Sequence, residues 1–221
     1  MKTVYFVRHG ESEINVHNYS YGDGNAPLTE KGRAQAILIA DRCAKLPAAV
    51  MVVSTMRRAQ ETADAISKKL NVDLISSDLF RERKPPLLLE SNDRYKEPLL
   101  TMRKDWLLSF YSESARIADG ENFIDIKKRA GDALSYLEQR PEENILVVAH
   151  SFILRTILAH VLFGDAFTTE ELKKTMLRVQ FDNTGISIIE FDPSGTAQFD
   201  TMPVSGWTMR TWNDQTHLGD V

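Results

Sequence analysis

The chain has 221 residues and a net charge of −4, which favours one domain of ordinary size and gives no sign of nucleic acid or an anionic membrane as a partner. Hydrophobic residues make up 43% and charged residues 26%, as is typical of a soluble globular protein. Cys43 is the single cysteine, so an internal disulfide is excluded and a reducing cytoplasm is the expected location. The sequence shows no signal peptide and no apolar run of membrane-spanning length.

Short β-rich runs alternate with amphipathic stretches along most of the chain. Strands buried on both faces are predicted at 3–7, 49–53, 72–75 and 145–149. Helices are predicted at 30–43, 58–70 and 122–138 and again after His150, where Gly164 would end the last one. This alternation predicts an α/β fold, with a mostly parallel central sheet covered by helices on both faces.

Two parts of the chain depart from that alternation. Strands are predicted at 178–181 and 185–191 around a turn at 182–184, with a further strand at 197–202 after a turn at 192–195. They would form a hairpin or meander at one edge of the sheet. The segment 83–118 holds three prolines and scattered charge, and is predicted to be an inserted cap, partly helical from about Glu97, within a single domain 1–221.

Cationic side chains follow three of the predicted strands directly. Arg8 and His9 come after the first strand, Arg58 lies shortly after the second, and His150 follows the strand at 145–149. In open parallel sheets, ligands bind outside the carboxyl ends of the strands. We therefore expect two arginines and two histidines to converge on one place, where they would meet an anion.

Six short motifs carry a resemblance that spans nearly the whole chain. In chain order they are VRHGESEIN (7–15), APLTEKGRAQA (26–36), STMRRAQETA (54–63), LFRE (79–82), DGENFIDIKKR (119–129) and VVAHS (147–151). A lone RHG tripeptide would be a weak signal. Together and in this order, the motifs resemble the histidine phosphatase superfamily, the group that includes the cofactor-dependent phosphoglycerate mutases.

The resemblance implies a phosphohistidine mechanism, with a role for each of five residues. His9 would be the nucleophile that attacks phosphorus. Arg8, Arg58 and His150 would compensate the charge of the phosphoryl oxygens, for which the planar guanidinium group is well suited. Glu82 would protonate the leaving oxygen and then take a proton from the attacking water.

Four further positions are candidates for substrate binding. Asn15 can donate an uncharged hydrogen bond to the phosphoryl group, and the backbone N–H of Ser151 can add another. Tyr21 and Gly22 stand where many phosphatases of the family have Gln-Gly, so they put the identity of the substrate in doubt. The scheme needs no metal and no cofactor, and the five histidines form no HxxxH, HxH or CxxC pattern with other ligands.

Simpler interpretations stay open for several of these residues. Arg8 and His9 alone would be more typical of a surface pair, and His150 is also consistent with a satisfied core histidine. Arg57 competes with Arg58, and the acids Glu61 and Glu90 compete with Glu82, since RERK (81–84) is also consistent with a solvated charged loop. Asn15 is also consistent with a turn or cap residue.

The sequence as a whole favours a phosphomonoester hydrolase that acts through His9 on a small phosphorylated metabolite. A cofactor-dependent phosphoglycerate mutase is the first alternative, although no mutase-type lid is recognisable between Glu82 and Gly120. A non-catalytic module that binds a phosphorylated ligand is the second. The C-terminal segment 206–218, with its two tryptophans, would dock on the body, form a homodimer contact or close over the substrate.

Overall fold

The structure is a computed structural model that describes residues 1–16, 25–90, 97–199 and 202–219. It contains six strands, Lys2–Arg8 (β1), Val50–Ser54 (β2), Asp73–Ser77 (β3), Asn144–Ala149 (β4), Ile186–Phe199 (β5) and Met202–Asp214 (β6). Its helices are Glu13–Val16 (α1), Glu30–Cys43 (α2), Arg57–Ser67 (α3), Leu99–Ser109 (α4), Phe123–Gln139 (α5), Ser151–Phe163 (α6) and Thr169–Arg178 (α7). Short 3₁₀ turns lie at Asp78–Phe80, Leu87–Glu90 and Thr216–Leu218.

The strands form one sheet in the order β3-β2-β4-β1-β5-β6. The first four strands of that order are parallel, whereas β5 and β6 run antiparallel at one edge. Alternate residues of the central strands point to opposite faces, because a strand has a side-chain period of two. Val4, Phe6 and Val147 pack with α5 and α6 on one face, while Val7 and Val148 pack with α2 and α3 on the other. The predicted α/β class, with helices on both faces, is confirmed.

The predicted elements that lie in this central layer agree with the structure. The helix predicted at 30–43 has the observed bounds of α2, and Gly164 follows the last residue of α6 with a φ of 73°. The strand predicted at 72–75 exists as β3, but it is not buried on both faces, since it is an edge strand with Leu74 exposed. An edge strand has a neighbouring strand on one side only and is more exposed to solvent. The apolar residues of β3 were therefore not sufficient to predict burial of both its faces.

The C-terminal third corrects three predictions. Residue 178 ends α7, a helix that was not predicted, and residues 179–181 are not a strand. The predicted turn at 192–195 lies inside β5, where Asp192 accepts from the N–H of Ser194 and the pairing register with β6 shifts. This register shift is a β-bulge, and β5 continues through it to Phe199. The residues predicted as one strand at 197–202 therefore belong to the end of β5 and, from Met202, to the start of β6.

Arg83 connects the segment predicted as a cap to the body. Its guanidinium group is buried over the ring of Trp106, 4.5 Å from the ring centre, and donates to the hydroxyl of Ser109 at 2.7 Å. It also donates to the carbonyl of Glu121. The RERK segment is therefore not a uniformly solvated loop, and α4 is tied to the residues that follow Glu82. Within the described ranges, no helix is long and apolar enough to cross a membrane.

Candidate active site

His9 lies at the carboxyl end of β1, where the chain passes tightly over the start of α2. A Cβ atom on Gly10 would lie 2.5 Å from the carbonyl oxygen of Gly32, and one on Gly32 would lie 1.8 Å from the carbonyl oxygen of Glu11. Both positions therefore require glycine. The N–H of Gly10 also donates to the hydroxyl of Thr62 in α3 at 3.1 Å. These contacts fix the backbone that carries His9.

The hydrogen bonds of His9 define which ring nitrogen can act as a nucleophile. Its Nδ1 lies 2.7 Å from the carbonyl oxygen of Gly10, which can only accept, so Nδ1 carries the proton. Its Nε2 lies 3.1 Å from Nε of Arg58, which can only donate, so Nε2 carries the lone pair. The ring is buried, and its reactive nitrogen is held beside a guanidinium group.

The same surroundings keep His9 neutral. Burial and then the positive charges of Arg58 and Arg8 hold the pKa of His9 well below its usual range, against the opposing effect of the Gly10 carbonyl. A neutral imidazole is the form in which a histidine can attack phosphorus. His9 is therefore able to act as a nucleophile without first losing a proton at neutral pH.

The two predicted arginines reach the same place from different elements. Arg58, in the first turn of α3, is buried and donates to His9. Its neighbour Arg57 points outward and pairs with Glu61 at 2.6 Å, half-exposed. The structure thus brings Arg58, and not Arg57, to His9. Arg8 leaves the end of β1 and donates through Nη1 to the carbonyl of Phe181.

His150 lies next to His9, with 5.0 Å between the ring centres, and is fully buried at the end of β4. Burial, followed by the charges of Arg58 and other neighbours, holds the pKa of His150 well below its usual range. Its Nε2 is 2.7 Å from the hydroxyl of Ser54, which also accepts from the N–H of Met56 at 3.3 Å. A hydroxyl donates one hydrogen while accepting other bonds, so the Ser54 hydroxyl can give its own hydrogen to Nε2 of His150.

When the Ser54 hydroxyl donates to Nε2, the proton of neutral His150 lies on Nδ1. Within the described part of the chain, the buried Nδ1 has no hydrogen-bond partner. A buried donor without an acceptor is costly, and such groups mark sites that a ligand completes. His150 is therefore not a satisfied core histidine, and its Nδ1–H is suited to donate to an anion.

Glu82 is the buried carboxyl group of this region. It accepts from the N–H of Phe152, in the first turn of α6, at 3.1 Å, and from the N–H of Arg83 at 3.0 Å. Of the competing acids, Glu61 accepts from Leu28 and pairs with Arg57, whereas Glu90 lines the same cleft as Glu82 but is exposed. Phe152 follows His150 by two residues, so Glu82 is held at the edge of the histidine pair.

Arg129 of α5 supports the segment that carries Glu82. It donates to the carbonyl oxygens of Leu79 and Arg81 at 2.9 and 2.7 Å, and pairs through two nitrogens with Glu121. Its contact with the Glu82 carbonyl is longer, at 3.4 Å. One planar guanidinium group thus fixes the backbone that precedes the acid.

Of the four further residues predicted to bind substrate, the structure describes Asn15 and Ser151. The Oδ1 of Asn15 accepts from the backbone and the hydroxyl of Ser12, both at 3.0 Å, and from Asn183 at 3.4 Å, so Nδ2 is the end of its amide that can donate elsewhere. Ser151 is the first residue of α6, and its hydroxyl accepts from Arg155. Tyr21 and Gly22 lie outside the described residues.

Four supporting residues were not singled out from the sequence, namely Ser54, Thr62, Arg129 and Asn183. Ser54 and Thr62 belong to the motif STMRRAQETA, of which only the arginines were considered. Each lies four residues from Arg58 along the chain, and that spacing was the sequence feature that could have indicated their proximity to the site. Arg129 lies on a helix face read only for its apolar stripe. Asn183 was assigned to a turn, and local sequence could not show that its Nδ2 donates to the carbonyl of His9 at 2.8 Å.

The site thus brings together two arginines, two buried histidines and one buried carboxyl group. Arg58 donates to the lone pair of His9, and the positive charge of Arg8 lowers the pKa of both histidines, so these groups are suited to hold a phosphoryl group against His9. Among the described residues, no group of three His, Cys, Asp or Glu side chains is arranged to hold a metal ion.

Comparison with known proteins agrees with the motif reading. The sequence model described as the histidine phosphatase superfamily (branch 1) matches residues 4–201. A protein of Cronobacter sakazakii named probable phosphoglycerate mutase GpmB is 28% identical, over 99% of this chain and 95% of its own.

Solved structures of similar fold extend the comparison. Bacillus stearothermophilus YhfR superposes with a TM-score of 0.76 at 25% identity, covering 99% of this chain and 100% of its own. The alpha-ribazole phosphatase from Shigella flexneri superposes with a TM-score of 0.75 at 20% identity, covering 96% of each chain. At that identity the second likeness concerns the fold alone.

Proposed function

The chain belongs to the histidine phosphatase superfamily, and from that premise we propose that it is a phosphomonoester hydrolase whose phosphohistidine intermediate forms on His9. The proposed substrate is a small phosphorylated metabolite. The observation that carries the proposal is the state of His9, a buried neutral imidazole whose Nδ1–H is bound by Gly10 and whose Nε2 lone pair faces Arg58.

In the first step, the Nε2 lone pair attacks phosphorus and the bond from phosphorus to the substrate oxygen breaks. Arg8, Arg58 and the Nδ1–H of His150 bind the phosphoryl oxygens as negative charge builds on them. The carboxylic acid of Glu82 gives its proton to the departing oxygen, so that an alcohol leaves. His9 then carries the phosphoryl group and a positive charge, which the Gly10 carbonyl stabilises through Nδ1–H.

In the second step, water attacks the phosphoryl group from the side the alcohol has left. The carboxylate of Glu82 takes a proton from that water, and the bond from phosphorus to Nε2 breaks. Its electron pair returns to the nitrogen, so inorganic phosphate, neutral His9 and protonated Glu82 remain. The two steps balance without a metal ion or a bound cofactor.

The surroundings of Glu82 support a polar leaving group. Beside it opens a cleft of about 450 Å³, which Arg81, Lys84 and Arg129 line together with acidic residues. Such a lining can hydrogen-bond hydroxyl or carboxylate groups, which sugar phosphates and phosphoglycerates both carry.

A phosphoglycerate mutase is the second candidate, and it is favoured by the name of the Cronobacter sakazakii relative. A mutase would use the same phospho-His9 but would return the phosphoryl group to a second oxygen of the substrate. It would have to keep water away from the intermediate. The two candidates therefore differ in product, since a hydrolase releases inorganic phosphate and a mutase releases an isomer.

The test is hydrolysis of a panel of phosphomonoesters that includes 3-phosphoglycerate, in excess chelator, with both inorganic phosphate and 2-phosphoglycerate measured. We expect release of phosphate by the native chain and none by His9→Ala. His160→Gln is a matched control, because His160 is also buried but bonds to the carbonyl of Lys127 in α5. Isomerisation without phosphate release would establish the mutase, and phosphate binding without any turnover would establish a binding module.

A further inference from the structure

The end of the C-terminal strand contacts the loop that follows α7 through side chains. The indole N–H of Trp212 donates to the carbonyl of Gln180 at 2.9 Å. The amide of Asn213 accepts from the N–H of Asp182 at 2.8 Å and donates to its carboxylate at 2.6 Å, and Gln215 donates to the same carboxylate. Three consecutive loop residues, 180–182, are thus held by residues 212–215 or by the packing of the Trp212 ring on Phe181.

The same loop contacts the segment that carries the nucleophile. The carbonyl of Phe181 accepts from the guanidinium of Arg8. The N–H of Thr184 donates to the carbonyl of Arg8 at 2.9 Å, and Asn183 donates to the carbonyl of His9 at 2.8 Å. The loop therefore lies between the C-terminal strand and two residues that bind or attack the phosphoryl group.

We propose that Asn213 and Asp182 are positioning residues, through which the C-terminal strand sets the placement of Arg8 and His9. The inference rests on the proposed function of that site. The carbonyl of Phe181 defines where the Arg8 guanidinium can lie, and its neighbours on both sides are fixed by Trp212 and Asn213. A displacement of about 1 Å at a phosphoryl-binding group is enough to lower catalysis strongly.

The contact between Asn213 and the loop is shaped on both sides. Asn213 has a φ of 48°, in the left-handed region where asparagine is one of the few tolerated side chains. A Cβ atom on Gly185 would lie 2.2 Å from Oδ1 of Asn213, so glycine is required for the amide to reach the loop. Asn213 also lies at a register shift in the pairing of β5 with β6, where its N–H donates to the hydroxyl of Ser187 at 2.9 Å. Its backbone is thus set by the sheet, and its side-chain amide is matched to the loop.

The decisive experiment first places two negative charges at this contact and then exchanges its amide and carboxylate. In Asn213→Asp, a carboxylate faces the carboxylate of Asp182, and the loop should be pushed from its place. We expect kcat/KM for a small phosphomonoester, and the affinity for inorganic phosphate measured by calorimetry, to fall by about tenfold or more. Adding Asp182→Asn restores one amide and one carboxylate with exchanged positions, and should recover most of the loss.

Two further variants separate positioning from folding. Asn213→Gly keeps the positive φ and removes only the amide, so it tests the contact if Asn213→Asp does not fold. Arg210 lies on β6, as Asn213 does, and pairs at 2.5 Å with Glu190 of β5. Arg210→Gln removes this exposed pair and should change neither activity nor phosphate affinity. In Asn213→Gly, the ¹⁵N signals of Arg8 and His9 in the unliganded protein should shift, whereas those in Arg210→Gln should not.

The outcomes distinguish the two proposals. If the native chain shows no hydrolysis, the proposed function fails, but a shift of the Arg8 and His9 signals in Asn213→Gly still supports the positioning role. If the native chain hydrolyses phosphomonoesters and Asn213→Gly matches Arg210→Gln in phosphate affinity, kcat/KM and these signals, the positioning role is overturned. The same holds if the exchange with Asp182 recovers nothing.

Discussion

Replacing Ser54 by alanine should lower catalysis by removing the group that orients the proton of His150. The Ser54 hydroxyl lies 2.7 Å from Nε2 of His150 and accepts from the N–H of Met56. Without it, the neutral ring no longer has a donor at Nε2. The tautomer with the proton on Nε2 then becomes accessible, and that tautomer presents a lone pair, instead of an N–H, toward the phosphoryl oxygens.

The size of the effect follows from the burial of both groups. Ser54 and His150 are each fully buried, so water cannot replace the lost hydrogen bond. Leaving one buried polar group unsatisfied costs roughly 1–3 kcal/mol. If that difference appears in the transition state, kcat/KM falls by roughly 5- to 140-fold, since about 1.4 kcal/mol corresponds to a factor of ten.

The assay combines kinetics with a direct reading of the tautomer. We expect kcat/KM to fall in Ser54→Ala and the ¹⁵N shifts of His150 to change toward a mixture of tautomers. Thr175→Val is the matched control, because Thr175 is a buried residue whose hydroxyl bonds to Glu171 within α7, away from the site. Native kcat/KM together with unchanged His150 shifts in Ser54→Ala would refute the reasoning.

Three further outcomes follow from the site. The free energy of unfolding should fall as the pH drops below about 6.5, by up to about 1.4 kcal/mol per pH unit for each of His9 and His150. The reason is that both histidines take up a proton in the unfolded chain, whereas their lowered pKa values keep them neutral in the folded protein. Thermal unfolding between about pH 7 and pH 5 measures this slope. Glu82→Gln should reduce kcat/KM for alkyl phosphates by about 10²- to 10⁴-fold but spare kcat/KM for p-nitrophenyl phosphate, whose leaving group needs no proton. The kcat should fall for both esters, because breakdown of phospho-His9 still needs the Glu82 carboxylate as a base. Arg129→Met should lower the free energy of unfolding by about 1–3 kcal/mol in urea titrations, since it removes the cation that pairs with the partly buried carboxylate of Glu121.

Each of these outcomes has its own control. Replacing both His9 and His150 by glutamine should flatten the pH slope, and an unchanged slope would mean that other groups cause it. Equal losses of kcat/KM on the two classes of ester would contradict the role of Glu82 as proton donor. Lys128→Met removes an exposed pair with Asp132 next to Arg129, and similar losses for Lys128→Met and Arg129→Met would contradict the account of Arg129.

The sequence predicted the parts of the fold that local patterns determine. The continuous apolar runs of β1, β2 and β4 and the helical spacing of α2 and α5 were sufficient to place them, because each pattern extends over several residues. The same local reading assigned 178–181 to a strand and 192–195 to a turn. There the outcome depends on the partner strand, since β6 holds β5 together across a bulge that local sequence cannot reveal.

The site divides in the same way. Strand ends and motif order brought together His9, Arg58 and His150, which the structure confirms as neighbours. The groups that orient them come from distant segments, as Asn183 does through its bond to the carbonyl of His9. Such contacts depend on the packing of the loop after α7 on the end of β1, and a carbonyl acceptor leaves no mark in the sequence.

The most direct test of the account is to trap the intermediate and locate its phosphoryl group. The native chain would be mixed briefly with a phosphomonoester that it hydrolyses, quenched in alkali, and analysed by tandem mass spectrometry and by NMR of the histidine ring. The account predicts one acid-labile phosphoryl group on Nε2 of His9, absent in His9→Ala. Phosphorylation at Nδ1 or at another residue, or turnover without any phosphorylated enzyme, would contradict it.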